Sequence, residues 1–256
     1  MRAALALLIA ACVSSSEPQP QTPTPTLAPE TPSGGVVITY QPSQVAPKLA
    51  EWFSTSRVLE TARDLIHAAV DLDKRIDLVA TDCGRVNAYY DPHTRTVILC
   101  HELIAVIAGS FDSHDYLPQV YLYVAMHELA HALIDVLDLP VVGREEDAAD
   151  QFASLFFVNP GDLGFVLGVV QAAQFFRRAD ADQTVFWDSH SFGEARYYQL
   201  LCMVYGGAPD AREAIASALP AMRAEQCSTE YQQVRHGWNR LVAPHRGIDR
   251  GPLFAE

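Results

Sequence analysis

"AMHELAHALID", residues 125–135, contains two histidines four positions apart, and the interpretation of the whole sequence depends on it. The stretch lies in a predicted helix over residues 116–138, with a proline in its first turn and another just beyond its end. Helical spacing places His127 and His131 on one face, where both imidazoles can reach one ion. Glu128 follows the first histidine and is placed to act on water. We therefore predict that His127 and His131 bind a metal and that Glu128 is a catalytic base.

A third ligand is expected, because a catalytic zinc usually has three protein ligands. "REEDAADQFASLFF", residues 144–157, follows a turn and predicts an amphipathic helix on which Glu146 and Asp150 share a face. This arrangement resembles the gluzincin metallopeptidases, in which a downstream helix carries a Glu ligand and an Asp four residues later. The resemblance implies that Glu146 is the third ligand and that Asp150 orients a ligand histidine. Glu145 and Asp147 are rival ligands, although each would face a different direction.

Two further segments carry the resemblance. "VNAYYDPHTRTVILCHELI", residues 86–104, is similar to the strand pair before the active-site helix of gluzincins, which implies that Asn87, Ala88 and Tyr89 form a substrate-binding strand. "HSFGEAR", from His190 to Arg196, resembles the segment that follows their Glu ligand. It implies that His190 is catalytic and stabilises an oxyanion, either with Arg196 or without it. A surface histidine just before a helix is the alternative.

Over roughly residues 50–245 the chain resembles a bacterial family of metallopeptidases that is named as a domain of unknown function. The block from HELAHALID to GREEDAADQ is the most specific part of this likeness. A second His-Glu-Leu, in "CHELIA" at residues 100–105, has Ala105 where the second histidine would stand. We expect that segment to begin the helix after the hairpin and to bind no metal.

The N-terminal residues have the pattern of an export signal. Residues 1–11 combine a positive charge with a short apolar run, and the four residues ending at Cys12 resemble a bacterial lipobox, which implies lipidation of Cys12. An ordinary cleaved signal and an internal start remain alternatives. Residues 12–47 hold eight of the chain's 16 prolines and predict a disordered tether, in which a strand over residues 36–40 stays undecided. The metallopeptidase-like domain is then predicted over residues 48–256.

Four cysteines remain beyond the lipidation site, an even number in an expected oxidising compartment. Three pairings are possible. Cys83 and Cys100 flank two alternating apolar runs that predict a β-hairpin, so we pair these two and pair Cys202 with Cys227. Four buried free thiols are the alternative.

The net charge of −13, from 18 basic and 31 acidic residues, argues against a nucleic-acid partner. The expected fold is α+β: a mainly helical, zincin-like domain with a small antiparallel sheet over residues 75–100. One helix is expected over residues 48–72 and a last one over residues 231–241, followed by a loose tail.

The expected function is a zinc-dependent peptidase with one Zn²⁺ per chain and a peptide or protein substrate. We expect it to be exported and held at the bacterial cell envelope by its lipid anchor, on the periplasmic side if the host has two membranes. The alternatives are a lipid-anchored binding protein with a structural or vestigial zinc site, and a scaffold without metal. The sequence predicts no oligomeric state.

Overall fold

A four-stranded mixed sheet forms one layer of the molecule. The computed structural model describes residues 34–111, 115–158, 162–179, 193–247 and 249–255. The strands are β1 (Gly35–Tyr40), β2 (Arg75–Thr81), β3 (Ala88–Asp91) and β4 (Thr96–Cys100). Their order across the sheet is β1-β2-β4-β3, with β1 parallel to β2, β2 parallel to β4, and β3 antiparallel to β4.

The sheet is therefore mixed, and the expectation of an antiparallel sheet was wrong in strand direction. The predicted hairpin is present as β3 and β4. The helical connection between β1 and β2 returns the chain to the same end of the sheet, which allows these two strands to run parallel. β1 also lies within residues 12–47, the predicted tether. Since β1 pairs along the length of β2 and buries Val36, the folded part begins before residue 48.

The α+β, mainly helical class is confirmed. The helices are α1 (Pro47–Thr55), α2 (Val58–Ala69), α3 (His101–Gly109), α4 (Leu117–Val136), α5 (Glu145–Val158), α6 (Leu163–Ala179), α7 (Gly193–Gly207), α8 (Arg212–Ile215) and α9 (Ala221–Val242). The single helix expected over residues 48–72 is two helices, because Arg57 adopts a left-handed backbone with φ 58°. Within the described part of the chain, no helix has both the length and the apolar character needed to cross a membrane.

Helix α4 lies at the centre of the molecule. Its sequence is apolar on almost every side, and nearly all of its residues are buried. It packs against α2, α5 and α6 and against the β3–β4 hairpin. The helix ends where Asp138 takes a left-handed conformation with φ 51° and the amide of Leu139 donates to the carbonyl of Ile134 at 2.9 Å. This central position gives any group on α4 a rigid support.

Both predicted disulfides are present. Cys83–Cys100 closes the β3–β4 hairpin, and Cys202–Cys227 joins α7 to α9. The two helices also approach closely at Gly206, where a Cβ atom would lie 2.4 Å from the carbonyl oxygen of Cys227. Only glycine permits this approach, because real Cβ atoms do not come so near to backbone.

The C-terminal segment is docked on the core, so the expectation of a loose tail was wrong. Phe254 is 1% exposed, and its ring lies 5.1 Å from that of Phe156. Its amide donates to the side-chain oxygen of Asn239, whose amide group donates in turn to the Phe254 carbonyl, each at 2.9 Å. The buried ring and the paired backbone of Phe254 explain why this segment packs on the core.

Candidate active site

Helix α4 carries two histidines whose imidazoles meet. The Nε2 atoms of His127 and His131 are 3.3 Å apart, as expected for residues one turn apart on the same helix face. Glu128 lies between them in the sequence, is only 8% exposed, and lines the same cleft as His131. The helix thus presents two nitrogen ligands and a carboxylate at one location.

Glu146 reaches the same location from the first turn of α5. Its Oε2 lies 3.1 Å from the Nε2 of His127 and 3.4 Å from the Nε2 of His131. The start of a helix favours acidic side chains through its dipole, which stabilises Glu146 there. The structure therefore brings together the three residues predicted as ligands.

The three ligand atoms fit a single tetrahedral metal ion. Zinc bonds to nitrogen and oxygen are about 2.0–2.1 Å long, so two ligand atoms at the tetrahedral angle lie about 3.3 Å apart. The observed separations of 3.1, 3.3 and 3.4 Å agree with that value. A second convergent group, Cys83, Cys100 and Glu102, lacks thiolates because its two sulfurs form a disulfide. Among the described residues, the fit therefore favours the histidine–glutamate site.

Each histidine is oriented by a carboxylate at its other ring nitrogen. The Nδ1 of His127 lies 2.8 Å from Oδ1 of Asp150, and the Nδ1 of His131 lies 2.6 Å from Oε1 of Glu145. A carboxylate at Nδ1 accepts a hydrogen bond from the Nδ1–H, so that the unprotonated Nε2 can bind a metal. Asp150 thus contacts a candidate ligand histidine, which is the position that the resemblance to gluzincins implied for it. Glu145, considered only as a rival ligand, instead contacts the far side of His131.

Asp150 is held in turn by a buried arginine. Arg196 donates from Nε to Oδ2 and from Nη2 to Oδ1 of Asp150, both at 2.7 Å. Burial alone would raise the pKa of Asp150, but the positive charges of Arg196 and His127 outweigh it and hold the pKa well below its usual range. Asp150 therefore remains an ionised acceptor for His127.

Arg196 does not face the cleft. It is 7% exposed, pairs with Asp150, and its guanidinium lies 3.6 Å from the centre of the Phe176 ring. Arg196 is not among the residues that line the cleft, so the expectation that it helps to stabilise an oxyanion gains no support from its position and stays a prediction. His190, the other residue of that expectation, lies outside the described residues, as does Cys12.

The carboxylates around the histidines favour positive charge at their meeting point. Burial lowers the pKa of His127, but Asp150 and Glu146 more than compensate and raise the pKa to about 9. Burial likewise lowers the pKa of His131, whereas Glu146 and Glu145 raise it to a net value above the ordinary one. The same negative field favours a divalent cation, which competes with protons for these nitrogens.

A cleft of about 480 Å³ opens beside the candidate ligands, and the predicted substrate strand forms one wall of it. The amide of Cys100 donates to the carbonyl of Asn87 at 3.2 Å. In an antiparallel pair such bonds alternate, so Ala88 and Tyr90 direct their backbone groups away from β4, towards the outer edge of β3. Asn87 and Tyr89, also predicted to bind substrate, direct theirs towards β4. No strand of the described residues pairs with that edge, so it can accept an extended peptide.

The look-alike motif has a structural role. His101 and Glu102 open α3, as expected. Nδ1 of His101 lies 2.8 Å from Asp82, and the Glu102 carboxylate accepts hydrogen bonds from the amides of Cys83 and Gly84. These contacts fix the loop before the hairpin.

Fold and site together define a helical α+β protein whose central helix shares a candidate metal site with the helix that follows it. The chain belongs to the family described as "Putative metallopeptidase", whose family model matches residues 40–242. Membership of this family supports a peptidase activity and the binding of a metal ion. No significant match was found among curated proteins or among solved structures.

Proposed function

We propose that the protein hydrolyses peptide bonds with a zinc ion held by His127, His131 and Glu146. The observation that carries this proposal is the convergence of these three side chains in a cleft that also contains Glu128. Two histidines and a glutamate form a ligand set that zinc peptidases use, and this set leaves one coordination position open. The family's description as a metallopeptidase supports the same reaction class.

The residues of the cleft have different roles in the proposed reaction. A zinc ion, when bound, would polarise the scissile carbonyl and lower the pKa of water. Glu128 accepts the proton of the attacking water and passes it to the leaving amine. Ala88 and Tyr90 hold the substrate as an added strand through their outward backbone groups. His190 stays our candidate for stabilising the oxyanion.

Replacing Glu128 with glutamine tests the proposal. We expect Glu128→Gln to retain about one zinc per chain by mass spectrometry, because Glu128 is not a ligand. Peptide hydrolysis should fall by about 10²–10⁴-fold, the usual contribution of general acid–base catalysis. Glu102→Gln, the same change in the look-alike motif, is the matched control and should leave hydrolysis intact.

Two results would contradict parts of this proposal. Normal hydrolysis by Glu128→Gln would exclude Glu128 as the base. A wild-type protein that holds zinc but cleaves nothing in a broad peptide library would support the alternative of a binding protein with a structural or vestigial zinc site.

We also propose that the protein is exported and anchored to the cell envelope through Cys12. Two observations support this location: the signal-like pattern of residues 1–11 and the two disulfides, which persist in oxidising compartments.

A further inference from the structure

The cleft continues along α4 beyond the candidate metal ligands. Asp135 follows His131 by one helical turn and lines the same cleft, about 6 Å further along the helix axis. Successive residues of an extended peptide are separated by about 3.3–3.6 Å. The carboxylate of Asp135 is therefore within reach of the side chain of a substrate residue next to the scissile bond.

Asp135 is an exposed carboxylate beside apolar and aromatic groups. Its Oδ2 accepts a hydrogen bond from the hydroxyl of Tyr90 at 2.7 Å. Burial and this contact raise the pKa of Tyr90 above its ordinary value, so the phenol stays protonated and acts as the donor. A carboxylate has several lone pairs, so Asp135 can accept a further hydrogen bond from a cation. Ile134 and Pro92 line the cleft beside it.

The charged side chains that line the cleft are mainly acidic. Beyond Glu128 and Glu146, the lining carries Asp135 and the half-exposed Glu145. Among the described residues that line it, no lysine or arginine is present. Such a surface attracts positively charged ligands and repels acidic ones.

We propose that this cleft selects peptides with lysine or arginine next to the scissile bond; this inference rests on the proposed peptidase function. The aliphatic part of the substrate side chain packs on Ile134 and Pro92, and its charged end pairs with Asp135. Long basic side chains commonly combine apolar contact with a polar tip in this way. Norleucine offers the same stem without the charge, so it isolates the contribution of Asp135.

The test measures peptide binding separately from hydrolysis. The full chain with Glu128→Gln, loaded with zinc, is titrated with fluorescent alanine-based octapeptides that differ at one position: lysine, arginine, norleucine or glutamate. We expect lysine and arginine to bind about fivefold more tightly than norleucine, as for a partly exposed ion pair, and glutamate to bind most weakly.

A matched pair of substitutions locates the effect. Asp135→Asn removes the charge but keeps an acceptor for Tyr90, and it should abolish the preference for lysine over norleucine. Asp138→Asn removes the same charge nearby, but Asp138 lines a different cavity with Asp71 and Arg246, so the preference should persist. Asparagine also tolerates the left-handed backbone at Asp138.

Equal affinity for the lysine and norleucine peptides, an unchanged preference in Asp135→Asn, or no binding of any peptide would overturn the inference. Hydrolysis by the wild-type chain is scored separately. Selective binding without hydrolysis would refute the peptidase proposal alone, whereas hydrolysis without charge preference would refute only the substrate class.

Discussion

The two ligand histidines differ in how firmly their orienting carboxylates are held. Asp150, beside His127, is buried and fixed by two hydrogen bonds from Arg196. Glu145, beside His131, has a side chain that is 51% exposed. The Nδ1 of His131 is therefore oriented by an exposed carboxylate at the surface of the cleft.

We expect Glu145→Ala to weaken zinc binding by about 10–100-fold, the usual effect of losing a group that orients a metal ligand. Glu145→Gln should weaken it less, because the amide oxygen can still accept the Nδ1–H of His131. Competition with a chelator on the full chain measures this affinity. Asp147→Ala, which removes the same charge from the same helix turn, is the control. Equal losses in Glu145→Ala and Asp147→Ala would indicate a general charge effect rather than orientation.

At the scale of single residues, the sequence was informative where spacing within one helix determines which side chains share a face. The pairing of His127 with His131 follows from a four-residue interval, whereas the roles of Glu146 and Asp150 were implied by the resemblance to gluzincins; the structure brings these four side chains together. The role of Glu145 was not predictable, since it depends on how the first turn of α5 packs against the Nδ1 of His131. That contact is a property of tertiary packing.

Among the secondary-structure elements, α7 and α9 show how close two helices can come. Gly206 faces the backbone of Cys227, next to the disulfide that joins the helices. Their contact thus needs a glycine as well as a covalent bond.

We expect Gly206→Ala to lower the free energy of unfolding by roughly 1–3 kcal/mol, because the added methyl group forces the helices apart. Denaturant unfolding of the oxidised protein measures it. Gly237→Ala is the matched control in α9: a Cβ atom there meets nothing within 4 Å, so helix propensity should stabilise the protein slightly. Stability that is unchanged in Gly206→Ala would mean that the helices separate without cost.

The elements themselves were predictable to different degrees. The hairpin and its disulfide followed from alternating apolar runs, and α4 followed from its helical pattern. Strand direction did not, because it is set by the long connection between β1 and β2 rather than by either strand. The break between α1 and α2 at Arg57 could not be predicted either, because arginine does not favour a left-handed backbone.

At the scale of the whole molecule, the segment of residues 249–255 packs on the helical core. Phe254 fills a space between α5 and α9, where its ring lies 6.4 Å from that of Phe152. The sequence did not predict this, because one aromatic residue among turn formers carries no periodicity. The segment thereby supports the helix that holds Glu146.

We expect Phe254→Ala to destabilise the protein by about 3 kcal/mol, the lower end for removing a buried phenylalanine. The shift of the thermal unfolding midpoint, converted with the measured unfolding enthalpy, gives the value. Arg250→Ala is the control in the same segment: its ion pair with Asp71 is exposed and should contribute less than about 1 kcal/mol. A stability loss no larger than that of Arg250→Ala would show that the tail is not part of the core.

The order of the strands also decides how the protein can be handled. The chain enters the domain through β1, and β1 and β3 are the two opposite edges of the sheet. Three strand spacings, about 14 Å, therefore separate the point of entry from the edge that borders the cleft. A bead, sensor surface or fluorescent label coupled to β1 itself would lie at the edge opposite β3, so captured protein should keep its cleft open to peptides in solution.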